Sequence, residues 1–547
     1  MIDPKPDVNR YLLLAEVLFT QLFLCYALPA LGFIFGISMT YYLAAAIVAG
    51  LILPTLQTRN QSTIWFVALG SPAIWAVTEL AGGVLMDMSF DGNTYHQEII
   101  TLICKGWVPG QPWDGLELTT WTPYYAKAFE IAEATVVYSV GHIEAGKCLN
   151  YILGLSTALF VYSFLEERFA KISVKRRILI TLITVGNPVF LTQMFTFYTD
   201  FVKYLLTVIS IVTIIRIATS KQARVSIAML CMVIALAAGA KFNIFFEQGV
   251  VILAAWIWLM ATKRSRKAWQ IAAIGVSAAI AGTLILGYHP YVTNYLNVGN
   301  PLYPLVGEGS IDIMTTNTPH EYLLHDRFTN FFRSLLSVSL ITYDQREGGF
   351  GPLMLPMLLI SLILVWRTRK KAASVIVYIS CWVIASCFIF EQSWWARYNS
   401  QLWLILPLGL ISVYLSPQYN KLNKLLSKAL IICALLTGCV AAAIQGGSTL
   451  RHTLYRRAIE KSLSGSTIEA NFLNEVFCRH MSEAGIEVVK LSADNAKQAL
   501  PYYTYYIDDP DDDHFPKIYL EADKYAKVKE NVESIKFFDY ADFFEQK

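Results

Sequence analysis

Charge is what this sequence has least of. Asp, Glu, Lys and Arg make up 16% of 547 residues, where a soluble domain carries about a quarter. Hydrophobic residues make up 55%, and mean hydropathy is +0.45. So little polar surface cannot cover a water-soluble fold of this size, so part of the solvent must be lipid. The net charge of +3 is too small to suggest nucleic acid. No CxxC or Cys/His cluster appears among nine cysteines, so neither zinc nor redox chemistry is indicated. A cleavable signal peptide is not expected either. The first apolar run starts at Tyr11, shows no small-residue cleavage site and leads into a second run. No internal repeat is visible.

Long apolar runs fill the space that charge leaves. They fall at about 11–31, 33–54, 63–84, 145–165, 177–195, 201–218, 225–240, 247–262, 269–287, 351–366, 373–390, 401–416 and 428–445. The expectation is an all-α polytopic membrane protein with about 11–13 spans and a small C-terminal α/β domain. Lys and Arg clusters recur near 171–177, 221–224, 263–267, 367–371 and 421–428. All fall on the N-terminal side of the membrane, which the positive-inside rule makes cytoplasmic. The loops 85–144 and 288–350, the segment 391–400 and the tail 446–547 then lie outside the cytoplasm, and the spanning domain covers 1–445. In the tail, Ile468–Met481 reads as helix, and Ile486–Leu491 and Lys517–Leu520 read as strands.

Function usually resides on loops held by a rigid scaffold. The first outer loop opens on Asp87 and Asp91, followed by Tyr95, His96, Glu98, Lys105, Trp107 and Trp113. Thr94 to Cys104 patterns as an amphipathic helix lying along the membrane surface. Asp91 either caps that helix or serves chemistry, and the two are compatible. Asp200, after Phe197-Tyr198-Thr199, begins a span and is either a helix-start residue or part of a site. Lys241, between two apolar runs on the outer side, breaks the positive-inside pattern. It either snorkels or faces an anion. Arg397 and Tyr398 follow Glu391 and the Trp394-Trp395 pair, and the forked donors of Arg suit phosphate. The loop segments Gly299-Asn300-Pro301-Leu302-Tyr303-Pro304 and Arg346-Glu347-Gly348-Gly349-Phe350-Gly351-Pro352 specify turns. In the tail, Asp508–Asp513 reads as a solvated turn.

At these residues the chain resembles the GT-C class of membrane glycosyltransferases, which includes the dolichyl-phosphate-mannose protein mannosyltransferases and bacterial relatives. The resemblance rests on Asp87, Asp91, Tyr95 and His96, on Asp200, on the two glycine-rich loop signatures and on Arg397-Tyr398. It covers about residues 10–445 and leaves the tail unmatched. One departure is that two spans precede the span leading into the acidic loop, whereas many members place that loop after the first span. The parity still leaves the loop outside. The resemblance implies inverting transfer of a sugar from a polyprenyl-phosphate donor to a lipid, glycan or protein acceptor at the membrane edge. Asp91 would be the base, with Asp87 in reserve, and Asp200 would orient a base, acceptor or metal. Lys241 and Arg397 would hold the donor phosphate, with His96 and Lys105 as further cations, and Tyr95, Glu98 and Tyr398 would face the acceptor. The cofactor requirement varies within the class. Carboxylates admit Mg²⁺ or Mn²⁺, but no ligand set is evident. A transporter or flippase of a lipid-linked sugar is the alternative, and a non-catalytic scaffold displaying the tail is a third.

Overall fold

The computed structural model describes residues 9–111, 122–220, 223–307, 310, 318–337, 343–344, 348–369, 374–389, 392–416, 420–471, 473–491, 497–503 and 516–535. Trp113, Arg346, Glu347, Glu391 and Asp508–Asp513 lie outside the described residues. The chain is mostly helical, with a small sheet near its C-terminus. Among the described residues, seven helices are long and apolar enough to cross a membrane, and five shorter apolar helices accompany them.

Helix α1 (Arg10–Ile34) is mostly buried and contributes heavily to the main apolar core. The run expected over 33–54 is not one helix. It is broken into α2 (Tyr42–Ala49) and α3 (Ile52–Thr55), with Gly36 at φ +71° turning the chain away from α1. The broken pair runs back along α1. Gln21 donates to the Ile47 carbonyl (2.9 Å) and Gln57 to Glu16 (2.5 Å). Then α4 (Gln61–Val84) leads into the acidic loop.

Helices α5 (Gln97–Cys104) and α6 (Ala128–Val140) belong to the bundle, not to its surface. Gln97 through Ile103 are buried, and Thr135 of α6 donates to the Cys25 carbonyl of α1 at 2.8 Å. The amphipathic stretch therefore does not lie along the membrane. Its polar side is covered by the tail, whose patterning the apolar periodicity of α5 could not reveal.

Helices α7 (Cys148–Arg168) and α8 (Val174–Val185) follow. The run 177–195 breaks at Gly186, and α9 (Pro188–Gln193) restarts with Asn187 accepting from the Val189 amide. Proline lacks the N–H a continuous helix needs and pushes its predecessor out of the helical region. Helices α10 (Asp200–Thr219), α11 (Arg224–Ala240), α12 (Phe242–Ala261) and α13 (Ser265–Ala281) form an antiparallel series. Contacts of Asn9 with Glu166 (2.6 Å) and of Arg216 with Glu167 (2.8 Å) gather one set of helix ends. The starts of α10 and α12 lie at the other end of the bundle.

Beyond α14 (Thr293–Val298) come the short α15 (His320–Leu323) and α16 (Arg327–Leu336). The apolar helices α17 (Met354–Thr368), α18 (Ser374–Ser386) and α19 (Ile405–Leu415) follow. Helix α20 (Lys421–Leu463) is 43 residues long. At 1.5 Å per residue it spans about 65 Å, twice a bilayer's hydrocarbon core. The boundary expected after Gln445 therefore falls inside a helix, and the drop in hydropathy there marks departure from the apolar layer rather than a break in structure.

The tail sheet has the order β2-β1-β4-β3, from β1 (Thr467–Ala470), β2 (Glu487–Lys490), β3 (Gln498–Pro501) and β4 (Lys517–Leu520). Strand β1 pairs parallel with β2 and antiparallel with β4. The helix read over 468–481 is strand β1 followed by α21 (Glu475–Glu483), which Asn474 caps by accepting from the Phe477 amide. Helix α22 (Ala522–Glu533) closes the domain. Its core joins Ile468, Phe477, Met481, Tyr502 and Ile518 to Ile459 and Leu463 at the end of α20.

Candidate functional site

The carboxylate of Asp200 starts α10, where the unpaired amides of the first turn favour a negative charge. It gathers two cations from distant parts of the chain. Lys241, in the extended link between α11 and α12, places Nζ 2.6 Å from Asp200 Oδ1. Arg397 places Nη1 3.6 Å from Asp200 Oδ2 and 3.2 Å from Asp344. Lys241 thus neither snorkels nor stands alone.

Aromatic faces surround the cations. The Arg397 guanidinium lies 4.9 Å from the Trp395 ring centre, 5.4 Å from Tyr398 and 5.7 Å from Tyr198. Lys241 lies 5.8 Å from the Tyr398 ring. Such contacts favour a fixed cation where water is scarce. Tyr398 also accepts a hydrogen bond at its carbonyl from Lys203 (2.5 Å), which in turn lies 3.5 Å from buried Glu247. Among the described residues, Arg397 Nε and the Tyr198 hydroxyl are buried without a hydrogen-bond partner.

Asp91 faces this cluster through Tyr95, whose hydroxyl donates to Asp91 Oδ2 at 3.1 Å. Burial, then the nearby Asp91, Tyr198, Tyr125 and Asp200, hold the Tyr95 hydroxyl well above its ordinary 10. Asp91 does not cap the helix after it. Its own backbone is already helical and its side chain accepts no cap hydrogen bond. A π-turn over Gly92–His96 precedes α5, so the chain is wound before a cap is needed.

Asp87 is committed elsewhere. It is fully buried, and its oxygens accept from the Ser89 amide (2.6 Å), the Ser89 hydroxyl (2.9 Å) and the Phe197 amide (2.8 Å). Burial pushes its carboxyl up to about 6, against the opposing pull of Lys147. With its oxygens occupied, it latches the acidic loop to the segment before Asp200. Gly92 is required beside it, because a Cβ there would stand 1.9 Å from Asp87 Oδ2.

His96 is paired with Glu130 of α6 (2.7 Å), its ring 4.3 Å from Tyr95 and 6.3 Å from Tyr198. It sits at the edge of the cluster. Glu98 and Lys105 leave the site altogether. Glu98 accepts the Val476 amide (3.1 Å), and Lys105 pairs with Glu475, both from the tail. Burial raises the Glu98 carboxyl to about 7. These two residues dock the tail and stand apart from the Asp200 cluster.

The tail grips the back of the acidic loop. His480 bonds Gln97 at 2.9 Å, and Thr453 accepts the Met86 amide at 2.8 Å. Arg456 of α20 is fully buried. It donates to the Tyr502 hydroxyl (2.8 Å), the Asp87 carbonyl (3.4 Å) and Asn93 (3.5 Å). Tyr502 donates onward to Glu460 at 2.5 Å.

Asp200 is bracketed by two cations and Asp87 already accepts three hydrogen bonds, so neither leads a metal-ligand set. Among the described residues no group of three His, Cys, Asp or Glu side chains could hold a metal. Beside Lys241, Phe242 and Phe245 open an apolar cleft of about 720 Å³ between α11, α12 and α13, lined further by Trp256 and Trp269. Sequence reading missed Asp344, Glu130, Tyr125 and Arg456. Only Asp344 carried a signal, as an acid beside the glycine-rich signature. No family model matches the chain, and no curated relative is found.

Proposed function

We propose that this chain is an inverting membrane glycosyltransferase of the GT-C kind. It moves a sugar from a polyprenyl-phosphate donor to a lipid, glycan or protein acceptor on the extracytoplasmic side of the cytoplasmic membrane. The observation that carries the reading is the convergence of Lys241 and Arg397 on Asp200, next to an apolar cleft that starts at Phe242. A phosphate bound to an isoprenoid chain needs that pairing of fixed cations with a greasy channel.

In this reading Asp200 holds the two cations apart from each other's repulsion and preset for a phosphate. The unpartnered Arg397 Nε and Tyr198 hydroxyl supply donors to its oxygens. The acceptor hydroxyl attacks the anomeric carbon while the bond from that carbon to the phosphate oxygen breaks. Asp91 takes the hydroxyl proton, and the lipid phosphate leaves with the bonding pair, its charge met by Lys241 and Arg397. Tyr95 positions Asp91 by its hydrogen bond. The chain crosses the membrane with its Lys/Arg-rich ends in the cytoplasm, following the positive-inside rule.

The test is to incubate purified protein with a radiolabelled polyprenyl-phosphate sugar and follow label released to water or passed to an added glycan or lipid. Consumption of donor supports the reading. An intact donor that instead changes leaflet in sealed vesicles overturns it in favour of transport.

A further inference from the structure

Helix α16 (Arg327–Leu336) has three faces rather than two. Asn330, Phe331 and Leu335 are buried against the bundle. Phe328, Phe332 and Leu336 are 49%, 55% and 64% exposed. They stand four residues apart and so form one continuous apolar stripe. Thr329 and Arg333 take the third, polar side. Asp326 fixes the start of the helix, accepting from the Phe328 and Thr329 amides at 2.9 and 3.2 Å.

The attachment of the helix fixes its level. Phe331 packs on Phe388, just past the end of α18, with ring centres 4.8 Å apart. Phe328 packs on the same ring at 5.1 Å, and Arg327 donates to the Phe388 carbonyl at 3.3 Å. Its neighbour Ile389 is 42% exposed. Helix α16 therefore lies across the end of an apolar helix, at the height where a bilayer's hydrocarbon gives way to headgroups. Its exposed stripe continues the apolar surface below it.

We propose that α16 is an interfacial helix, with Phe328, Phe332 and Leu336 seated in the lipid headgroup region and Arg327 and Arg333 bordering them. Arg333 pairs only at the surface, 3.4 Å from exposed Glu321, a contact worth little in water, and cations beside an apolar stripe match the phosphates of a lipid surface. The helix also carries Ser334, whose hydroxyl donates to the Trp394 carbonyl at 2.6 Å, three residues before Arg397. Seating α16 thus fixes the depth of the cation cluster. The proposal holds whether or not the chain transfers sugar.

The experiment attaches a nitroxide at Phe332→Cys and, separately, at Thr329→Cys in full-length protein in nanodiscs containing phosphatidylglycerol. The signal from the native cysteines, measured on the labelled parent chain, is subtracted. Both positions are exposed, so neither change threatens folding. Collision with oxygen should exceed collision with a water-soluble nickel chelate at Phe332, with the order reversed at Thr329. Nickel-dominated collision at both positions overturns the proposal, because the stripe then faces water. Shielding of Phe332 from both relaxers also overturns it, because protein then covers the stripe.

Discussion

Lys241 and Asp200 lie 2.6 Å apart, although 41 residues separate them in the chain. Each stands where a helix begins, and each is unusual for its place: a cation among apolar helix ends and a carboxylate sealed from water. Their pairing makes both tolerable, and the approach of Arg397 from a third segment leaves the cluster one cation richer than that pair requires. Asp344 balances the excess from the rim.

Loss of either cation should weaken donor binding. Lys241→Ala and Arg397→Ala should each raise the donor KM by roughly 10- to 100-fold, the worth of one charge-assisted hydrogen bond. Because both touch Asp200, the double variant should fall short of the product of the single effects. Steady-state kinetics on the three variants decide this. Wild-type KM and kcat in both single variants would remove the phosphate from this site.

Arg456 should matter for the acidic loop more than its place in a polar tail suggests. Arg456→Ala removes the buried donor to the Tyr502 hydroxyl and the cation that offsets buried Glu460, at a cost of about 3–5 kcal/mol. Arg456→Lys restores the charge but not the fork, and should recover only part of it. Thermal unfolding in detergent reads the loss. An unchanged midpoint for Arg456→Ala would mean that the tail does not hold the loop.

The joint between tail and bundle should respond to pH. His142 pairs with Glu483 at 2.6 Å, and Glu483 also accepts from Arg479 (2.9 Å) and the Ile143 amide (3.1 Å). The Glu483 bond raises His142 above its ordinary 6.5, with help from the Gly83 carbonyl and Glu144. Glu483 is held below its ordinary 4.5 by His142 and Arg479, which outweigh its burial. A raised histidine contributes fully below 6.5 and loses its contribution as pH rises through its folded value. A lowered carboxylate contributes fully above 4.5 and loses its contribution as pH falls through its folded value. The His142–Glu483 pair therefore contributes most to docking between about 4.5 and 6.5. The difference in α21 hydrogen exchange between parent and His142→Gln, corrected for intrinsic rates, should be largest there. A difference that does not vary with pH would refute the linkage.

Sidedness has its own check. Cysteines placed at Ser310 and Ser466 should react with an impermeant maleimide added to intact cells. Reaction of either only from the cytoplasmic side would invert the topology.

The sequence made some of this legible for definite reasons. Lys241 and Arg397 stood out because a cation on the wrong side of a membrane needs an explanation, and that argument requires no partner. The Asp91–Tyr95 contact follows from the spacing of four residues along a helix. Arg456, by contrast, is buried by Tyr502, 46 residues onward, and nothing in local pattern reports such a distant cover. Lys105 and Glu98 resembled site residues because the motif surrounds them. Their true partners, Glu475 and the Val476 amide, belong to a tail that read as separate. The helix break at Asn187-Pro188 was available from proline alone and was masked by the apolar run around it.

If Asp91 takes the acceptor's proton, Asp91→Asn removes the base and little else. Asparagine keeps an oxygen for the Tyr95 hydroxyl and loses only the ability to accept a proton. Single-turnover transfer of radiolabelled sugar should fall about 10²–10⁴-fold, while the melting temperature and the affinity for donor stay at parent values. Transfer at the parent rate by a folded Asp91→Asn variant would rule out this carboxylate as the base.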